Sequence, residues 1–184
     1  FIGDSEAGPK AYYVAFVRDD AVFDRFIPPS GMPLSNTERA AWRARQDALD
    51  RDTMKCAERY NTVVIPYSGA GDAPGGQFVY LMPASSESRT VKAGGFQLFD
   101  YSSDGETLKG EMPFSQNCFD VEKDAADGDG NIILTHSMTP YPQEHHVFMS
   151  LLYGAPIYVA TQQNHVIWKV ADGKIAFFRE DRPE

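Results

Sequence analysis

Two periodicities divide the chain. From Asn36 to about Arg59 neither glycine nor proline interrupts the sequence. Trp42, Arg45, Leu49, Thr53, Cys56 and Tyr60 recur there at steps of three and four, the spacing of one helix face. Ser35, followed three residues later by Glu38, marks the start as a capping box, in which each side chain serves the other residue's free backbone N–H. The predicted helix turns Trp42, Leu49, Cys56 and Tyr60 toward a core, with the stem of Arg45 along its edge.

Elsewhere branched and aromatic residues come in short runs that read as strands: 11–17, 21–27, 62–66, 77–82, 95–101, 132–136, 147–153, 157–161, 165–170 and 175–179. Turn chemistry separates them, in Ser103-Asp104-Gly105, Gly154-Ala155-Pro156, Gln163-Asn164 and Asp172-Gly173 among others. Pro28, Pro29 and Pro33 remove backbone donors, so 28–33 is expected to hold no regular structure. The last four runs are closely spaced and are expected to be sequential neighbours. The expectation is an α+β fold: an antiparallel meander, as a curved sheet or partial barrel, with one long helix from the N-terminal half packed on it. A polar arm, 1–10, precedes a single domain, 11–184.

Composition fits one globular domain: 184 residues, 42% hydrophobic, 12% aromatic and 23% charged. Lys and Arg number 17 against 26 Asp and Glu, a net charge of −9, which argues against nucleic acid and anionic lipid as partners. The longest apolar stretch, 147–160, contains Ser150, Gly154 and Pro156 and falls short of the ~20 apolar residues of a membrane span, so no transmembrane segment is expected. The two cysteines, Cys56 and Cys118, are paired in this reading. Such a bridge closes a loop long enough to add about 4 kcal/mol on the chain-entropy argument. It also points to an oxidising compartment, periplasmic or secreted. The chain opens on Phe1 rather than Met, and a removed leader or other upstream segment is expected from that.

Candidate chemistry centres on histidine. Three of the four, His136, His145 and His146, fall close together, with Glu144 beside the pair. His136 and one of the pair, joined by Glu144, offer the two-histidine, one-carboxylate set that holds Zn or Fe, although the spacing matches no H-E-x-x-H signature. On a strand His145 and His146 would point to opposite faces, so both could meet one ion only on an irregular backbone. A second cation candidate is the acidic turn 124–132, where Asp127, Asp129, Gly130 and Ile132 fit four positions of a calcium loop. Ala125 and His136 occupy two further positions that should supply oxygens, which argues for a solvated hairpin turn instead. The glycine-rich run 68–76 precedes a strand and carries no lysine, so it is not a phosphate loop. No G-x-S-x-G occurs, and neither cysteine has a neighbouring histidine to activate it.

Aromatics are the last signal. Alternation sends Phe96 and Leu98 to one face of their strand and Phe99 and Tyr101 to the other, so some aromatics must lie outside a single core. Phe99 and Tyr101 are the expected contact surface. These readings favour an extracytoplasmic binding or interaction domain that engages a protein or small molecule, has no evident catalytic motif and needs no cofactor. The alternative is a metal-binding module or metal-assisted hydrolase built on His136, Glu144, His145 and His146.

Overall fold

The computed structural model describes residues 2–3, 5–19, 21–71, 73–85, 90–122 and 131–181. Its elements are β1 (Ile2–Gly3), β2 (Lys10–Ala11), β3 (Val14–Arg18), β4 (Ala21–Phe26), β5 (Met32–Pro33), α1 (Asn36–Asp50), β6 (Tyr60–Tyr67), β7 (Gly76–Pro83), β8 (Thr90–Lys92), β9 (Gln97–Ser102), β10 (Leu108–Pro113), β11 (Asp120–Glu122), β12 (Ile132–His136), α2 (Glu144–Tyr153), β13 (Ile157–Thr161), β14 (Val166–Ala171) and β15 (Lys174–Glu180). The α+β class is correct. Among the described residues, however, the strands form five separate sheets rather than one meander. The largest are β10-β9-β7-β6 and β12-β13-β14-β15. No helix among these residues is long and apolar enough to cross a membrane.

Contacts divide the chain into two compact units. The first comprises Phe1–Arg51, Thr62–Tyr80 and Phe99–Glu111. Residues of the expected polar arm are hydrogen-bonded here: β1 pairs with β2, and β2 with β5, antiparallel. Strand β5 thus lies inside the proline-rich segment read as irregular. A two-residue edge pairing leaves Pro33 where its missing N–H costs little.

Helix α1 starts where its capping box places it. The Glu38 N–H donates to Ser35 Oγ at 3.3 Å, and the Ser35 N–H donates to Glu38 Oε2 at 2.7 Å. It stops at Asp50, well before Arg59, with Arg51 extended (φ −64°, ψ 142°). Asp52 and Thr53 are poor helix formers, and beyond them Cys56 is held by a cystine in the second unit. The buried face also differs from the expected one. Ala40, Ala44 and Ala48 are buried, while Trp42 and Leu49 are only half-buried. Small side chains let another backbone come close: a Cβ on Gly105, which sits at φ +74°, would lie 2.0 Å from the Ala40 carbonyl oxygen. Periodicity located the helix, but side-chain size chose the face.

On β9 the alternation holds, and the residues expected at a contact surface are on its buried side. Phe99 and Tyr101 are buried, 1% and 0% exposed, and so they belong to the core and not to a contact surface. The Tyr101 hydroxyl donates to Asp47 Oδ2 at 2.6 Å and accepts from Arg51 Nε at 3.1 Å. Burial and the neighbouring carboxylate push the phenol up to about 12.

The second unit comprises Asp52–Asn61, Leu81–Leu98 and Met112–Glu184. Cys56 and Cys118 are bonded, with Cα atoms 5.2 Å apart. The bridge ties down the chain after α1, not the last turn of a longer helix. It lies against Gly95, whose added Cβ would sit 2.6 Å from Cys56 Cβ at a φ of +89°, so only glycine fits. In the four-stranded sheet β13, β14 and β15 are sequential and antiparallel, as expected. Asp172 and Gly173, at φ +52° and +73°, make the tight turn between β14 and β15.

Strand β12 joins this sheet parallel to β13, with Ile132 opposite Ile157 and His136 opposite Thr161. Parallel neighbours need a crossover to carry the chain back. Residues 144–153 supply it as α2, which corrects the strand expected at 147–153. Gly154 ends α2 in the left-handed conformation (φ 59°, ψ 34°), and its N–H reaches the Ser150 carbonyl.

Candidate metal centre

The parallel pairing positions the histidines. His136 is the last residue of β12, and its carbonyl accepts the Gln162 N–H at 2.9 Å. The chain then loops back, and His145 and His146 occupy the first turn of α2. Neighbours on a strand would diverge by half a turn. On a helix they are about 100° apart, and here both rings turn to His136. All three are buried, 4%, 5% and 2% exposed. Ring centroids lie 3.8 Å apart for His145 and His146, 4.9 Å for His136 and His146, and 5.9 Å for His136 and His145. One nitrogen from each ring can be chosen so that all lie within 4.8 Å of one another. The structure therefore unites three of the four residues singled out in the sequence. Glu144 is exposed and does not join this group.

Hydrogen bonds fix which nitrogens are available. Thr139 Oγ1 donates to the Tyr141 carbonyl at 2.5 Å, so its contact of 2.9 Å with His136 Nε2 is one in which the ring N–H donates. His136 Nδ1 keeps its lone pair. The Gln143 N–H donates to His146 Nδ1 at 3.1 Å, which places the proton of the neutral ring on Nε2. His145 Nδ1 is buried and has no hydrogen-bond partner among the described residues. Its ring stacks on Phe114 at 4.6 Å and lies 5.6 Å from Phe96.

These surroundings keep the imidazoles neutral. Burial lowers His136. Burial, then the charge of His146 and of His136, drives His145 well below its usual value. Burial, aided by His136, brings His146 down to about 3. At neutral pH no proton competes for the lone pairs, which is a condition for metal capture. A tetrahedral ion with Zn–N bonds of ~2.0–2.1 Å would draw the three nitrogens together, to roughly 3.3 Å from one another.

Beside the histidines is an open cavity of about 220 Å³. Ser115, Gln116, Asn117, Ser137 and Gln162 contribute to its wall, and among the described residues no Asp, Glu, Lys or Arg lines it. Asn117 and Phe119, which flank the bridged Cys118, line it too. Sequence reasoning missed Thr139, Phe96 and Phe114. No spacing rule connects them to the histidines, because tertiary packing alone brings them there. Of the candidate calcium turn, residues 124–130, with Asp127, Asp129 and Gly130, lie outside the described residues.

No protein-family model matches this chain, and no curated protein or solved structure matches it either.

Proposed function

We propose that this protein binds a first-row transition ion of the zinc type through His136, His145 and His146. The carrying observation is the meeting of three buried, neutral imidazoles, one of them with a buried nitrogen that has no hydrogen-bond partner among the described residues. Leaving such a group unsatisfied costs about 1–3 kcal/mol, which ligation would recover. An all-imidazole donor set suits Zn, Cu or Ni better than the oxygen-seeking Mg or Ca. It also replaces the two-histidine, one-carboxylate set expected from Glu144.

Binding has one local cost. Capture through His146 Nε2 moves the ring proton to Nδ1, where it faces the Gln143 N–H; capture through Nδ1 displaces that N–H directly. Either route breaks the hydrogen bond that caps α2. The loss is about 1 kcal/mol, against roughly 10–16 kcal/mol for structural zinc sites, so ligation prevails. The cystine supports an extracytoplasmic setting for the protein.

The test is calorimetric titration of EDTA-treated protein with zinc. One equivalent should bind, raising the unfolding temperature, and His136→Gln should weaken binding by about a hundredfold or more. A folded wild-type protein that takes up no zinc, copper or nickel would overturn the reading. Near-ultraviolet circular dichroism of His136→Gln separates a lost ligand from a lost fold.

A further inference from the structure

Resting on that metal reading, we infer that the ion's remaining coordination position binds a small anion from solution. Three neutral imidazoles leave the whole double charge of the ion in place. Among the described residues, the cavity beside them brings hydroxyl and amide groups to its lining and no carboxylate. A buried charge without a counter-charge is costly, and the wall offers hydrogen-bond partners without neutralisation. An anion that enters to ligate the metal supplies both.

Size narrows the class. About 220 Å³ is below the ~300–1,000 Å³ of pockets that hold drug-sized ligands. Hydroxide, bicarbonate and short carboxylates fit; nucleotides and peptides do not. Access is open, because Gln116, Asn117, Thr135, Ser137 and Gln162 line the cavity and are themselves solvent-exposed. Among the described lining residues no carboxylate occupies the place the anion would take, which distinguishes this site from one closed by its own protein ligands.

The experiment uses the full chain loaded with cobalt(II), whose visible absorption reports the number and kind of its ligands. Azide, acetate and neutral acetamide are then titrated in turn. Azide and acetate should change the spectrum saturably, and acetamide should not. Gln162→Glu places a carboxylate in the wall and should weaken azide binding by about tenfold while cobalt itself stays bound. A cobalt spectrum that forms normally and ignores both anions at saturating concentration overturns this inference and leaves the three-histidine site standing. A stripped, folded protein that gives no cobalt spectrum overturns the site itself. Equal response to acetate and acetamide would show a vacant position without charge selection and also defeats the inference.

Discussion

The two helices solve the same terminal problem with different chemistry. Both begin with a backbone N–H served by a side chain from the first turn: Glu38 carboxylate for Ser35, and His146 imidazole for Gln143. Glu38 is exposed and held below the usual carboxylate range, chiefly by its hydrogen bonds with Ser35, so that cap is stable through neutral pH. His146 is buried, and the nitrogen that caps is also a potential ligand. Their inner faces differ in the same way. Helix α1 buries Ala40, Ala44 and Ala48, which permit close packing and carry no chemistry. Helix α2 buries His145, His146, Met149 and Ser150. Polar atoms placed in an apolar interior must find partners. Among the described residues, His145 Nδ1 has none, which is the observation behind the proposed metal site.

Acid should separate the two helices most strongly. The buried histidines are neutral in the fold and protonate near pH 6.5 once unfolded. The unfolded chain therefore binds more protons below that value, and metal-free stability falls as pH drops from 6.5 toward about 3, where His146 itself titrates in the fold. Each such histidine contributes a slope of up to about 1.4 kcal/mol per pH unit. Asp47 of α1 is also held low, first by the Tyr101 hydroxyl, but its contribution is lost only below pH ~4. Urea unfolding across pH 4–7 (a range of ~3 units) should show the histidine slope, and His145→Gln should reduce it. A flat profile in both proteins would mean that the histidines are not buried as neutral rings.

Next in size is Phe99→Ala, expected to cost about 3–5 kcal/mol in chemical denaturation as a core truncation. A cost below ~1 kcal/mol would restore the strand's other face as the core. Ala44→Leu should overpack α1 by about 1–3 kcal/mol and leave zinc affinity unchanged. Weakened zinc binding in that variant would break the separation drawn between the helices. The smallest effect is at the caps. Ser35→Ala should cost about 1 kcal/mol whether or not zinc is present, whereas the Gln143 amide should lose its hydrogen bond only when zinc is added, visible as a shift of its NMR resonance.

Much of the first helix was legible because its signals are local. A capping box and an unbroken run of helix formers act within a few residues, and α1 begins at the expected place. Its end was less legible, since Thr53, Cys56 and Tyr60 continue the same spacing while Cys56 serves the cystine. The strands at 132–136 and 157–161 were read to the residue. The segment between them was not. Val147, Phe148 and the leucines beyond look like a strand, and nothing local says that β12 and β13 run parallel and need a crossover. The histidines were therefore recognised as candidates, yet placed on a backbone that would have driven two of them apart.

The sequence by itself determined the α+β class, the first helix's start and the Asp172-Gly173 turn, and it singled out four candidate metal ligands, of which the structure brings His136, His145 and His146 together. It also provided the cysteine pair, which the structure joins. These follow from local propensity and from what each side chain can do. Tertiary structure decided the rest: alanine rather than tryptophan on the inner face of α1, Phe99 and Tyr101 in the core, and His145 and His146 turned together by a helix. Burial and strand pairing depend on residues far apart in the chain, whose contacts no short-range pattern encodes.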